Sequence, residues 1–272
     1  MLLTFVLLTL SVLSLSGCAV PRPPQGVSAA PSVLPSAQQL LATLEQRRHT
    51  LTSLRGLARV VYADSQDKGG AEQAVAVAAP DRFRLELFSP IGIASLVTND
   101  GQRLAAYFPQ EKTLYRGAAT PLNTARFLRV LLSPREIASF LLGLPALPVN
   151  ATPGIVQLDA QMGRYRLELT LPDRSRHFLW FDQKTLAFMR WEIQDGNGTT
   201  VGSMALNNYR EINGLSFPFE IVLSDLQSQQ KVSLFYIRAE ANPALPDSLF
   251  RLPQISGVKE LDMDALVAEE RQ

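Results

Sequence analysis

The stretch DRFRLELFSPIG, residues 81–92, sets the expected fold. Its apolar and polar residues alternate one by one, which predicts a β-strand with one face against a core and one wet face. The inward set is Phe83, Leu85 and Leu87, and the outward set is Arg82, Arg84 and Glu86. Pro90 and Gly92 then end the strand in a turn and leave Ile91 between them.

Similar alternation recurs between residues 57 and 117 and between residues 155 and about 240. Turn signals such as Asn99-Asp100-Gly101 and Asn213-Gly214 separate these segments. We therefore predict about ten or eleven sequential antiparallel strands. Because a sheet of this length curls, the expected fold class is mainly β with helices (α+β), built as a curved, incomplete antiparallel β-barrel.

Leucine-rich segments predict helices that cover this sheet. One helix is expected from Ser36 to about residue 53, since Ser36 and Gln39 form a capping-box pattern. Two shorter helices are expected between residues 120 and 143, because Thr120 and Ser133 are each followed by proline and Ser133 with Glu136 forms a second capping-box pattern. The apolar face of the sheet needs a cover, so these helices are predicted to form a lid.

A sheet closed by a lid encloses either a packed core or an apolar cavity. The candidate cavity residues are the large apolar side chains predicted to point inward from the strands and the lid, which are Phe83, Leu85, Leu87, Phe127, Leu131, Phe140, Leu141, Leu169, Trp191, Phe219 and Ile221. Any one of them is more readily explained as ordinary core, because aromatic stripes usually pack. The sequence leaves both possibilities open.

The amino terminus predicts export. Residues 1–17 are almost entirely apolar but short for a membrane-spanning helix, which is typical of a signal peptide. They end in Leu15-Ser16-Gly17-Cys18, which resembles the bacterial lipobox and implies cleavage before Cys18 and lipidation of its thiol. The alternatives are a plain signal peptide with an incidental cysteine, or a short anchor helix.

The rest of the chain divides by composition. Residues 18–35 carry the lipidated Cys18 and a proline-rich tether, residues 36–255 are the predicted globular domain, and residues 256–272 are a charged tail without predicted structure. Residue 19 is Ala and not Asp, which in the lipoproteins that this start resembles favours the outer membrane.

Charge and composition exclude several classes of function. The 272 residues include 26 Lys and Arg against 25 Asp and Glu, which argues against a polybasic nucleic-acid binder. A single Cys excludes a disulfide framework, and two His leave little for metal or general-base chemistry. We find no phosphate loop or nucleophile elbow, and we expect His177 to be a surface hairpin residue. The prediction is a non-enzymatic protein without catalytic residues, metal or cofactor.

Three stretches together resemble LolB of the LolA/LolB lipoprotein-localisation superfamily. They are residues 54–60, the strand and turn at 81–92, and Ile137-Ala138-Ser139-Phe140-Leu141-Leu142-Gly143-Leu144-Pro145. Residues 242–253 look more like LolA-type and LolB-like lipoproteins. The resemblance spans about residues 36–253.

This resemblance implies both a ligand and an insertion loop. The cavity would hold the acyl chains of client lipoproteins received from a LolA-like periplasmic carrier. The turn Pro90-Ile91-Gly92 would project Ile91 into outer-membrane lipid. The competing interpretation is that Ile91 folds with Ile93 into the core. Ala79 stands where the carrier has an arginine that latches its lid, so that latch is expected to be missing.

The expected protein is therefore a monomer on the periplasmic face of the outer membrane, anchored through Cys18. Two other functions remain open for the same fold. One is the binding of a different lipid or a glycolipid, and the other is a structural scaffold with a filled interior.

Overall fold

The computed structural model describes residues 34–269; Cys18 and the segment before it lie outside them. The helices are α1 (Ala37–Thr50), α2 (Pro121–Leu128), α3 (Pro134–Leu141) and α4 (Met263–Glu269), with a short 3-10 helix at Asp247–Phe250. The strands are β1 (Ser53–Ala63), β2 (Lys68–Ala78), β3 (Arg82–Ser89), β4 (Gly92–Asn99), β5 (Arg103–Phe108), β6 (Thr113–Ala118), β7 (Thr152–Asp159), β8 (Arg164–Thr170), β9 (Arg176–Asp182), β10 (Phe188–Gln194), β11 (Thr200–Ile212), β12 (Leu215–Asp225), β13 (Gln230–Ala241) and β14 (Lys259–Asp262).

All of these strands join one curved sheet that stays open between β14 and β7. Its order is β14-β6-β5-β4-β3-β2-β1-β13-β12-β11-β10-β9-β8-β7, and every pair is antiparallel except β14 with β6. The predicted mainly-β, unclosed sheet is confirmed, but ten or eleven strands was too few. The Gly- and Ala-rich β2 lacks the alternating large side chains that mark a strand, and β14 has only four residues.

Antiparallel order gives the half-barrel two different ends. The β1–β2, β3–β4 and β12–β13 turns lie at one end, which we call the Ile91 end. The β7–β8, β9–β10 and β11–β12 turns lie at the other, which we call the α1 end. The last turn of α1 reaches this second end, where Arg47 Nη1 donates to the Ser216 carbonyl at 2.6 Å.

Three helices cover the inner face of the sheet. Leu40 and Leu44 of α1 are fully buried in the main core, as are Ile137 and Leu141 of α3. Both predicted capping boxes form, at Ser36 and at Ser133. Helix α1 ends at Thr50 and not at residue 53, because Ser53 already pairs with Ala78 as the start of β1.

The outer face of β2 to β6 is also covered, by the chain after β13. Phe250 packs on Ala76 and Ala78, and Leu252 packs near Leu96 and Leu114. The prediction that the outward face of residues 81–92 is exposed to solvent is therefore only partly correct, because the chain after β13 covers part of it. Arg82 pairs with Asp247 and stacks over the Phe250 ring, and Arg84 donates to the Leu249 carbonyl.

The segment after residue 255, for which no structure was predicted, completes this side of the sheet. Strand β14 pairs with β6, and α4 follows at once. The carboxylate of Asp264 accepts hydrogen bonds from the Ala118 backbone N–H and from Asn123 Nδ2. Strand β6 and the start of α2 are thereby fastened together.

Candidate functional site

An apolar cavity of about 650 Å³ lies between the inner face of the sheet and the lid formed by α2 and α3. Small-molecule pockets typically measure about 300–1,000 Å³, so its size suits a ligand. Its walls are mostly aliphatic and aromatic side chains, and its polar groups are Tyr62, Gln73, Ser95, Arg126 and Arg129. Five strands and the lid contribute most of the apolar lining, including Val60, Leu85, Leu87, Val97, Phe108, Phe127, Leu128, Ile137, Phe140, Leu141 and Leu234.

A second cavity of about 260 Å³ lies on the other side of the lid residues. Trp191, Met204 and Ile193 line it from the strands. The two cavities share the side chains Val130, Leu132, Phe140, Leu223 and Val232 as a common wall. Three of these five residues, Val130, Leu132 and Phe140, belong to the lid and its α2–α3 connection, and the other two belong to β12 and β13.

The predicted cavity residues divide into three groups. Those that line the larger cavity are Leu85, Leu87, Phe127, Phe140 and Leu141, and Trp191 lines the smaller one. Those that are buried in the core and line neither cavity are Phe83, Leu169, Phe219 and Ile221. Phe219 packs instead edge-on against Phe217 and Tyr236. Leu131 forms the third group by itself.

Leu131 does not point into the interior. Its side chain is 70% exposed and touches only the mouth of the smaller cavity. The reason is that α2 ends at Leu128 and Arg129 adopts a left-handed conformation with φ of 55°. Leu131 therefore falls outside the helical repeat that the sequence pattern assumed.

Arg129 also fastens the lid to the sheet. Its guanidinium carbon lies 4.5 Å from the centre of the Tyr62 ring, and its Nη1 lies 3.1 Å from Asp67 Oδ2. Tyr62 donates its hydroxyl to the same carboxylate at 3.1 Å. The hydrogen bond from Arg129 is the largest cause that holds the pKa of Asp67 below its ordinary value, and the hydrogen bond from Tyr62 is the second. The lid is therefore held to the sheet by Arg129, and not from residue 79, where the carrier has its latching arginine and this chain has Ala79.

The sequence analysis missed this cluster, although one signal pointed to it. Tyr62 pairs across the strands with Gly69, and a Cβ on Gly69 would lie 2.4 Å from the Tyr62 hydroxyl oxygen. Glycine is therefore required beneath the tyrosine ring. An aromatic residue facing glycine on neighbouring strands marks a flat platform, here occupied by Arg129.

The Pro90-Ile91-Gly92 turn leaves Ile91 in solvent. The side chain is 80% exposed, so the alternative in which Ile91 joins the core is wrong. Gly92 has φ of 117°, a conformation that a residue with a side chain rarely adopts. The glycine turn and its rigid proline keep Ile91 at the tip. Leu87 and Ser95, which line the larger cavity, lie on the two strands that this turn joins.

A third cavity, of about 610 Å³, lies at the α1 end and has different chemistry. Arg47 and Tyr209 face it, together with Asp182 and Glu211. Burial lowers the pKa of Arg47 and raises the pKa of Tyr209 to about 12. Its two carboxylates make it a poorer site for a hydrocarbon chain than the larger apolar cavity, whose lining residues include no carboxylate.

His177 is a core residue and not a surface one. It is buried, and its Nδ1 accepts a hydrogen bond from Trp191 Nε1 at 3.1 Å. Burial lowers the pKa of His177 below 6.5, and Asp173 opposes this shift. The prediction of a surface hairpin residue was wrong because β9 turns this side chain toward the interior next to β10.

Residues 34–269 contain neither a membrane-spanning helix nor a metal cluster. No helix there is long and apolar enough to cross a membrane. No group of three or more His, Cys, Asp or Glu side chains comes together there as a metal site.

Comparison with solved structures identifies the fold class. The chain resembles a LolA superfamily protein from Nitrosomonas europaea over 80% of its own length and 99% of the other chain, with 19% identity and a TM-score of 0.54. A domain assigned to outer membrane lipoprotein sorting, from Vibrio parahaemolyticus, matches over 79% and 97% with 11% identity and a TM-score of 0.56. The fold is thus the LolA-like curved sheet with a helical cover.

A DUF1329 family protein from Desulfovibrio piger is similar to the same degree. It matches 79% of this chain and 95% of its own, with 15% identity and a TM-score of 0.58. No protein-family model matches the sequence, and no curated protein matches it either. At these identities the likeness extends to the fold alone.

Proposed function

We propose that this protein is a LolB-like lipoprotein of the outer membrane that accepts the acyl chains of client lipoproteins and helps to insert them into the membrane. The observation that carries the proposal is an apolar cavity of about 650 Å³ under a lid, whose lining includes Leu87 and Ser95 on the two strands that the exposed Ile91 turn joins. A LolA-like carrier is the proposed donor.

Hydrocarbon burial supplies the driving force for this binding. Each methylene removed from water contributes roughly 0.8 kcal/mol, and the cavity wall offers few groups that compete for water. Transfer then follows from relative affinity, with the bilayer binding the chain more tightly than the cavity does. No nucleotide is required for such a step.

We also propose that the protein acts by binding and not by catalysis. The residue that most resembled a catalytic group, His177, is buried with its Nδ1 occupied by Trp191. Neither apolar cavity is lined by a histidine.

The proposed anchor is Cys18, which lies outside the described residues. Replacing Cys18 by serine should release the protein from membranes into the soluble periplasmic fraction, because a single lipidated residue would carry more than one acyl chain. Fractionation of cells that express the wild type and the Cys18→Ser variant measures this. A variant that still sediments with membranes contradicts the acyl anchor.

Native mass spectrometry tests the cavity directly. We expect the purified unlipidated Cys18→Ser protein to carry a bound acylated peptide, seen as an added mass that dissociates from it. If it is purified empty, we expect it to bind an acylated peptide that is added to it. A bound phospholipid or glycolipid would instead support the alternative in which the same fold carries another lipid. A protein that neither carries nor accepts any acyl compound would support the scaffold and contradict transfer.

A further inference from the structure

Three connections at the Ile91 end hold a large apolar side chain in solvent. Ile91 is 80% exposed in the β3–β4 turn, Leu131 is 70% exposed between α2 and α3, and Leu226 is 50% exposed in the β12–β13 turn. Leu131 lies close to this last turn, because it lines the smaller cavity together with Asp225 and Gln227.

We propose that Leu131 and Leu226 form a second membrane contact, so that the mouth of the smaller cavity rests on the lipid surface. The inference rests on the proposed function and extends it. The protein would meet the bilayer along the Ile91 end and not through the Ile91 turn alone.

The backbone holds Leu131 in this outward position from both sides. Before it, Arg129 is bound to Asp67 and Tyr62 in the β1–β2 hairpin. After it, Ser133 caps α3 by accepting a hydrogen bond from the Glu136 N–H. Its neighbours Val130 and Leu132 line both apolar cavities. Leu131 is thus the residue of this connection that remains free to contact a surface.

The charges around these tips cancel, so electrostatic attraction is not expected to drive their contact with a lipid surface. The segments 63–69, 129–133 and 224–231 contain three cations, Lys68, Arg129 and Lys231, and three carboxylates, Asp64, Asp67 and Asp225. Their net charge is zero, and Arg129 is already paired with Asp67. Contact would therefore come from the three apolar tips at one end of the sheet, because burying each exposed side chain in lipid removes apolar surface from water.

Site-specific labelling of the full, lipidated chain tests the contact. Cys18 is the only cysteine, and its proposed acylation would block its thiol, so an engineered cysteine would accept a fluorophore uniquely. We compare Leu131→Cys, Leu226→Cys and Ile91→Cys with Met162→Cys, a 59% exposed residue in the β7–β8 turn at the α1 end. Each labelled protein is reconstituted in phosphatidylcholine vesicles whose acyl chains carry bromine, which quenches the fluorophore on contact.

We expect quenching at residues 131 and 226 to be at least twice that at residue 162, and unchanged between low and high salt. Leu226 lines neither apolar cavity, so quenching there reports the bilayer and not a lipid taken into the protein. Quenching at 131 and 226 no greater than at 162 overturns the inference. Loss of the effect at high salt also overturns it, since it would indicate electrostatic binding.

The label at residue 91 separates this inference from the proposed function. If residue 91 is quenched and residues 131 and 226 are not, the second contact is wrong while the insertion loop stands. If residue 91 is also unquenched, the insertion role proposed for Ile91 fails as well.

Discussion

Replacing Ile91 by glutamate is expected to reduce delivery of client lipoproteins to the membrane by about thirtyfold or more. Moving an exposed isoleucine into lipid is worth roughly 2 kcal/mol, and this amount corresponds to about a thirtyfold change in an equilibrium. A charged carboxylate in the same position would add a penalty of its own. The measurement is transfer of an acylated client from a carrier to vesicles.

The variant should leave the fold intact, because Ile91 is 80% exposed and supports no core packing. The free energy of unfolding, measured by thermal denaturation, should stay within about 0.5 kcal/mol of that of the wild type, as for other surface substitutions. Met162→Glu is the matched control, since it places the same charge on an exposed apolar residue at the α1 end. Equal transfer by the two variants would remove Ile91 from the mechanism.

Replacing Ala71 by tryptophan is expected to weaken acyl binding more than tenfold. Ala71 lies in the middle of β2, and its side chain faces the larger cavity beside Val60 and Gln73. An indole there occupies space that a chain would fill. Excluding only two methylenes of the ligand would cost about 1.6 kcal/mol, which exceeds a factor of ten in Kd. Titration with a fluorescent acylated peptide measures the loss.

Strand β2 supplies its own control for this experiment. Ala74 is an odd number of residues away from Ala71, so its side chain lies on the opposite face of the sheet, where it is half-buried. Ala74→Trp makes the same substitution in the same strand without entering the cavity. Unaltered acyl binding by Ala71→Trp, or an equal loss in both variants, would place the ligand elsewhere.

Much of the fold is predictable from local pattern. Alternation at residues 81–89, the turns at Asn99 and Asn213, and the capping boxes at Ser36 and Ser133 all occur where the sequence predicts them. Each depends on neighbours only a few residues apart. The predicted strand count was too low, because strands such as β2 and β14 have weak patterns of their own and depend on pairing with their neighbours.

The candidate site was only partly predictable. Alternation correctly placed Leu85 and Leu87 in the wall of the larger cavity, but it could not separate them from Phe83, which is packed solidly two residues earlier. Whether an inward side chain meets a void or a neighbour depends on residues distant in sequence. Val232 and Leu223, which form part of the wall between the two cavities, belong to strands that follow Leu85 by more than 100 residues.

The sequence by itself determined the strand alternation, the helix starts, the turn at Pro90-Ile91-Gly92 and the position of the sole cysteine, because each is set by a few adjacent residues. Only the tertiary structure decided the outward direction of Leu131, the burial of His177 and the fastening of the lid by Arg129. Each of these depends on where one element ends against another, and a contact such as Arg129 with Asp67 joins residues 62 positions apart. Local preference fixes which elements form, while long-range packing decides where they leave a cavity.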